Sequence, residues 1–241
     1  MSEPGHQNSV LLKVSDVNAY YGDSHVLQGC SLEVADECVA VLGRNGMGKT
    51  TLLRAIMGLT PARRGSIKWK NEEIAGKKPF EIASRGIGYV PQGRRLFPSL
   101  SVEEHLRLVY RRSSEPGEWN PRRILELFPE LEERRRISGA RLSGGEQQML
   151  AIGRALVTNP TLLLLDEPSE GLSPVANDRV VEICKELLGN RISVLLVEQN
   201  IHVAEALAHR VYILLSGKTV HESSAAAFLE NQSLRKEYLG V

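Results

Sequence analysis

Four consecutive leucines, Leu162–Leu165, follow Thr161, and a second almost wholly apolar stretch runs from Ile192 to Val197. Runs this short, with no alternation, suit strands buried on both faces of a parallel sheet. Cys38–Leu42 is a third run of this kind and stops at Gly43. Leu11–Val14, Ser31–Val34 and Ile87–Val90 also read as strands, and Ser66–Lys70 alternates polar and apolar as a half-exposed strand does. Val211–Leu215 and Lys218–Val220 flank Ser216-Gly217, which predicts a hairpin. Helical composition lies between these strands: Thr50–Met57 with Gly58 as its stop, Pro174 to about Leu188, Ile201–Ala208 and about Ala225–Glu230. Alternating strands and helices predict an α/β fold.

The alternation breaks from Ser101 to Asn159, where only helices are predicted. Ser101 with Glu104 has the form of a capping box, Pro121 suits a first helical turn, and Ser143 is placed to cap a long helix from about Gly144 to Thr158. Arg134–Arg136, beside Glu132 and Glu133, reads as a solvated helix face. The expected organisation is a single domain over residues 10–241 with a helical insertion at about 95–158, preceded by a flexible polar tail, 1–9, that lacks the pattern of a signal peptide.

Composition narrows the function. The 241 residues carry 30 Lys plus Arg and 29 Asp plus Glu, a net charge of +1, which gives no reason to expect a nucleic-acid partner. The longest pure apolar run is far below the roughly 18–20 residues that span a bilayer. Cys30, Cys38 and Cys184 fit neither a zinc site nor a redox pair, and read as reduced core thiols.

Gly43-Arg44-Asn45-Gly46-Met47-Gly48-Lys49-Thr50 matches G-x-x-x-x-G-K-[ST], between a strand and a helix. Glycines allow successive backbone N–H groups to turn toward phosphate oxygens, and the helix start adds its positive end. Lys49 is expected at the β and γ phosphates and the Thr50 hydroxyl on Mg²⁺, with Thr51 completing the nucleotide-binding set. Asp166-Glu167 closes the leucine strand, at the end where open parallel sheets bind ligands. Asp166 is placed to hold Mg²⁺, and Glu167 to act as general base on the attacking water.

Leu142-Ser143-Gly144-Gly145-Glu146-Gln147-Gln148 offers a hydroxyl, unshielded N–H groups and a helix start, a second anion site in physical terms. The string resembles the signature of ABC-type ATPases. The resemblance implies a P-loop NTPase (RecA-like) core with an antiparallel β subdomain and an inserted helical subdomain. It implies that Ser143, Gly144, Gly145 and Glu146 close over ATP held by a partner subunit, head to tail. Tyr21 resembles the aromatic that stacks on adenine, with Tyr20 its neighbour. Gln92 resembles the Q-loop glutamine, which senses Mg²⁺ and the attacking water. Ser169–Ser173 occupies the D-loop position, where Glu170 replaces a usual small or apolar residue. Gln199 stands where most members carry a histidine that contacts the γ-phosphate. It can donate a hydrogen bond without carrying charge. His202 is expected on a helix surface.

Longer strings, Gly43–Gly46, Val90–Arg95, Glu146–Ala155 and Val197–Asn200, resemble the second ATPase of branched-chain amino acid importers and the similar ATPase of urea and short-chain amide importers. Gln92 and Glu170 tilt the comparison toward the urea or amide branch without deciding it. The resemblance implies ATP and Mg²⁺ as cofactors and hydrolysis coupled to uptake. The partners it implies are a non-identical second ATPase, two membrane permeases and, indirectly, an external solute-binding protein. It implies a place on the cytoplasmic face of the cell membrane. The permease is expected to dock around Gly93–His105, with Phe97 and Leu100 as apolar contacts and Arg94 and Arg95 as polar rim; core packing of Phe97 is the alternative. An ABC-type ATPase acting as a soluble assembly scaffold is the other functional class.

Overall fold

The computed structural model describes residues 10–112 and 118–240; the expected tail, 1–9, lies outside them. β1 (Leu12–Tyr21) and β2 (Ser24–Val34) form a hairpin. β3 (Cys38–Leu42) feeds α1 (Lys49–Ile56), and β4 (Ala62–Trp69) with the two-residue β5 (Glu72–Glu73) returns to β1. α2 (Pro79–Ala83) leads into β6 (Ile87–Val90). Among the described residues no named strand interrupts the next stretch, which holds α3 (Val102–Val109), α4 (Pro121–Leu127), α5 (Pro129–Glu133) and α6 (Gly144–Leu156). Then follow β7 (Leu162–Asp166), α7 (Pro174–Gly189), β8 (Ser193–Glu198), α8 (Ile201–Leu207), β9 (Arg210–Leu215), β10 (Lys218–Ser224), α9 (Ala225–Glu230) and α10 (Gln232–Tyr238).

Among the described residues, one sheet has the order β10-β9-β3-β8-β7-β6 and the other β2-β1-β4-β5. The first is parallel except for β10; the second is antiparallel throughout. β3, β7 and β8 are buried along their whole length, and their side chains alternate between two cores. Ala40, Leu42, Leu163, Leu165, Val194 and Leu196 join the core that includes α6 and α7. Val39, Val41, Leu162, Leu164, Leu195 and Val197 join the core shared by α1 and the antiparallel sheet. Two-sided burial explains the unbroken apolar runs. Each buried leucine contributes about 2 kcal/mol, which offsets the cost of ending these strands in the buried carboxylates Asp166 and Glu198. Register sets Leu42 beside Glu198 and Asp166 beside Val197, so these ends lie along one edge of the sheet.

Several elements are longer than the pattern predicts. β1 continues past Val14 to Tyr21 because a bulge absorbs Ser15-Asp16: the register shifts between Val14 and Val17, and Asp16 takes a φ of 51°. β2 and β4 begin earlier than expected, at Ser24 and Ala62: β2 opens on the exposed Ser24 and His25 before the buried Leu27 and Cys30, and β4 on the exposed Arg63–Gly65, which carry no apolar signal. β10 extends to Ser224 through an exposed-intermediate alternation. Ser216 and Gly217 both have positive φ, 48° and 76°, as the predicted hairpin turn requires. The short α2 and β5 were not predicted, and α10 buries no residue and so leaves no periodic trace.

The Ser101–Glu104 capping box is present, with the Glu104 N–H donating to Ser101 Oγ and the Ser101 N–H to Glu104 Oε2. Arg134–Arg136 is a correction: α5 stops at Glu133, and these residues form the turn beyond it, where Arg134 reaches Glu146 at 2.6 Å rather than solvent alone. All three cysteines are buried and none is in a disulfide, and burial pushes the Cys30 thiol up to about 11 and Cys184 to about 12, away from thiolate chemistry. Among the described residues no helix is long and apolar enough to cross a membrane.

Candidate active site

β3 ends at Leu42 and the chain wraps into α1 through Gly43–Gly48. Gly48 sits at φ 103°, a conformation open to glycine, and serves as N-cap without a side chain that would close the helix start. Lys49 is buried, and its ammonium donates to the Gly43 carbonyl at 2.7 Å and the Arg44 carbonyl at 3.2 Å, and pairs with Glu167 Oε1 at 2.9 Å. The turn of the β9–β10 hairpin braces the loop from outside: the Gly217 N–H donates to the Met47 carbonyl at 3.0 Å. The resulting hollow of about 360 Å³ is lined by Asn45, Gly46, Gly48, Lys49, Thr50, Thr51, Gln92, Glu167 and Val26. Of the expected loop residues, Gly43, Arg44 and Met47 form its frame rather than its lining.

Thr50 Oγ1 donates to Asp166 Oδ1 at 2.9 Å, and the Tyr89 hydroxyl donates to Asp166 Oδ2 at 2.9 Å. Burial pushes the Asp166 carboxyl up, while these two bonds and the Gln92 backbone N–H pull it back. Gln92 also reaches the neighbouring acids: its Nε2 lies 3.4 Å from Glu167 Oε2 and 2.9 Å from Glu170 Oε2. Thr50, Asp166 and Gln92 form a set of hard oxygen donors, which fits a small divalent cation that also takes ligands from phosphate and water.

Glu198 and Tyr89 escaped the sequence reading. Glu198 is 2% exposed. Its Oε1 accepts from the Ser169 N–H at 3.0 Å, and its Oε2 from the N–H groups of Gln199 and Asn200 at 3.1 and 3.2 Å. One carboxylate thus ties the loop after Glu167 to the loop that carries Gln199. The signal was available, since Glu198 ends an apolar strand just as Asp166 does; Tyr89 had none. Glu198→Leu leaves three N–H groups without their acceptor, so urea unfolding should show a loss of about 2–4 kcal/mol. Gln199 is exposed and lines a second hollow, of about 250 Å³, with Asn45, Glu167, Glu170 and Glu198.

The signature residues form a separate hollow of about 400 Å³ between the starts of α6 and α7. Ser143 caps α6, its Oγ accepting from the Glu146 N–H at 3.3 Å. Both Glu146 oxygens are engaged within the chain, by the Ser143 N–H at 2.7 Å and Arg134 at 2.6 Å. The outward-facing groups are therefore the Ser143 hydroxyl and the glycine N–H groups. Arg94, expected at a docking rim, turns toward α6 and donates to Gln147 Oε1 at 3.3 Å. Arg154 of α6 holds the carbonyls of Arg94 and Arg95 at 3.1 and 2.8 Å. Phe97 is half exposed, with its ring stacked on the buried His105.

Tyr21 is 46% exposed, and the Thr60 hydroxyl donates to its phenol oxygen. Tyr20 is already engaged, with the His25 ring at 4.2 Å and the Arg63 guanidinium at 4.4 Å. Tyr21 is the more exposed of the two, with the Arg54 guanidinium 5.9 Å from its ring centre. His202 is exposed on α8, 3.6 Å from Glu205.

A family model described as ABC transporter matches residues 27–170, more than half of the chain. The branched-chain amino acid transport ATP-binding protein BraG of Pseudomonas aeruginosa is 43% identical over 232 residues, covering 95% of this chain and all of the relative. The probable branched-chain amino acid transport ATP-binding protein LivF of Archaeoglobus fulgidus is 34% identical, covering 96% and 99%. The lipopolysaccharide export system ATP-binding protein LptB of Escherichia coli K12 is also 34% identical, covering 91% and 93%. Among solved structures, the dimeric cassette MJ0796 bound to ADP and Pi superposes with a TM-score of 0.77 at 27% identity, covering 89% of this chain and 99% of that one. The breadth of this agreement, from one end of the fold to the other, makes the chain a member of the ABC transporter family and an ATPase of the ABC type.

Proposed function

We infer that the chain drives import of a small polar solute by hydrolysing ATP at a site shared with a second, non-identical ABC ATPase. The observation that carries this reading is the pairing of Lys49 with Glu167 and of Thr50 with Asp166, each at 2.9 Å, at the ends of β3 and β7: a cation for phosphate, a carboxylate for water and oxygen donors for a divalent ion, brought side by side. Branched-chain amino acids are the favoured cargo on the 43% identity to BraG, with urea and short-chain amides as the related alternative. Two membrane permeases and, through them, an external solute-binding protein complete the proposed transporter. The chain would sit on the cytoplasmic face of the membrane.

In this reading the loop N–H groups and Lys49 receive the β and γ phosphates, and Tyr21 stacks on adenine. Thr50, Asp166 and Gln92 would hold Mg²⁺, whose charge neutralises the phosphate oxygens when it is bound. Glu167 leaves Lys49 as phosphate takes over that cation, which frees its carboxylate to accept a proton from the attacking water. Gln199 donates to the γ-phosphate as a neutral group, and Glu198 keeps its loop in register with the loop after Glu167. Ser143, Gly144 and Gly145 meet the nucleotide of the partner subunit. Glu146 acts on that contact from inside, by fixing the start of α6.

The test uses the transporter assembled with its permeases, its second ATPase and its binding protein. Loading the binding protein with leucine should stimulate hydrolysis, and loading it with urea should not. Ser143→Arg should leave ATP binding by this chain unchanged yet lower turnover of the complex by about 100-fold, the scale of losing one aligned transition-state donor. Stimulation by urea alone would move the cargo to the amide branch. Loss of ATP binding by the isolated Ser143→Arg chain would refute its action on the partner's nucleotide.

A further inference from the structure

Glu170 stands in the 169–173 loop at a position where the family that the sequence resembles usually has a small or apolar residue, and its contacts supply a reason. The loop folds back through the Glu170 N–H, which donates to the Glu167 carbonyl at 3.1 Å, after Glu167 itself takes a φ of 47°. This return brings Glu170 Oε2 to 2.9 Å from Gln92 Nε2. The same nitrogen lies 3.4 Å from Glu167 Oε2. An amide nitrogen carries two hydrogens, and here each has its own carboxylate. The Gln92 backbone N–H meanwhile supports Asp166. Gln92 is thus held by three successive acids, two through its side chain and one through its main chain.

The arrangement settles which way round the amide sits. A flipped Gln92 would turn its oxygen against two carboxylates and exchange two charge-assisted hydrogen bonds for repulsion. With the nitrogen side taken by Glu167 and Glu170, the oxygen is the side left to serve as a ligand. Glu167 cannot do this alone. Its other oxygen is paired with Lys49, and its bond to Gln92 is the longer of the two. Once Glu167 turns to water, Glu170 is the remaining anchor. Glu170 lines the neighbouring hollow with Gln199, not the one around Lys49 and Thr50, so its action passes through Gln92. The backbone on the far side of Gln92 is fixed as well: Gly93, Arg94 and Arg95 have φ of 76°, 62° and 47°, and Arg154 clamps the last two carbonyls.

We propose that Glu170 is a positioning residue for Gln92: its carboxylate fixes the amide nitrogen and thereby presents the amide oxygen to the divalent cation. This rests on the Mg-ATP reading of the site. The test is Mn²⁺ binding, followed by electron paramagnetic resonance, to the full chain loaded with a non-hydrolysable ATP analogue. Glu170→Ala should weaken Mn²⁺ binding by about 10-fold, the scale of losing an outer partner of a metal ligand. Nucleotide affinity in EDTA should not change. Glu170→Gln, whose amide oxygen can still accept from Gln92, should recover most of the loss. In a Gln92→Ala background, Glu170→Ala should add nothing, because the two act as one unit. An unchanged Mn²⁺ affinity in Glu170→Ala, or an undiminished effect without Gln92, would overturn the proposal. If Thr50→Ala and Asp166→Asn also left Mn²⁺ binding intact, the metal assignment itself would fall and take the role of Glu170 with it.

Discussion

Glu167→Gln is expected to bind ATP at least as well as the parent chain and to hydrolyse it about 100- to 10,000-fold more slowly, the range lost with a positioned general base. The substitution keeps the shape of the side chain and removes its basicity. It also removes the charge that holds Lys49 at 2.9 Å, so an arriving phosphate no longer has to displace a carboxylate from the ammonium. Binding should therefore tighten while chemistry stops, and the protein should accumulate in its ATP-bound, subunit-closed form. Titration with a fluorescent ATP analogue, phosphate release and size-exclusion chromatography in Mg-ATP measure the three effects. Normal hydrolysis by a variant that never closes onto a second subunit would remove Glu167 from the proposed role.

Much of the site was legible because its chemistry is local in the chain. Gly43–Thr50 and Asp166-Glu167 each combine an apolar strand with the group it delivers, and buried parallel strands announce themselves without alternation. What sequence could not supply was contact across long separations. Tyr89 meets Asp166 only because β6 pairs with β7 in register, Val90 beside Leu165. Arg94 reads in the sequence as polar rim, and its turn toward α6 comes with three consecutive positive φ values, of which only the one at Gly93 falls on a residue type that favours it. Glu146 looked like part of the anion site, yet it is spent on its own helix start and on Arg134, which follows a helix that ends earlier than its charge pattern implies. In the fold, the errors fall where local pattern is weakest. The bulge at Asp16 hides the second half of β1, and α10 packs without burying a residue.

Lys49→Ala should abolish turnover and lower ATP affinity by about 100-fold or more, on the scale of removing a buried phosphate-binding cation. Three acceptors converge on this ammonium: two loop carbonyls and Glu167. Its side chain is 3% exposed, so water does not replace it freely. In the variant the incoming phosphate meets the Glu167 carboxylate with no cation between them. Two like charges about 4 Å apart repel by about 4 kcal/mol at the effective dielectric of such sites, more than enough to account for the predicted loss of affinity. Stability should suffer less. Glu167 lines an open hollow, where solvent can reach the carboxylate that Lys49 no longer pairs. A second substitution separates the two parts of the argument. Lys49→Ala combined with Glu167→Gln removes the repulsion, so it should recover part of the ATP affinity while hydrolysis stays absent. Calorimetric titration with ATP and thermal unfolding of both variants give the comparison. Near-normal hydrolysis by Lys49→Ala at saturating Mg-ATP, or an affinity in the double variant no better than in the single, would show that the buried ammonium does not do the work assigned to it.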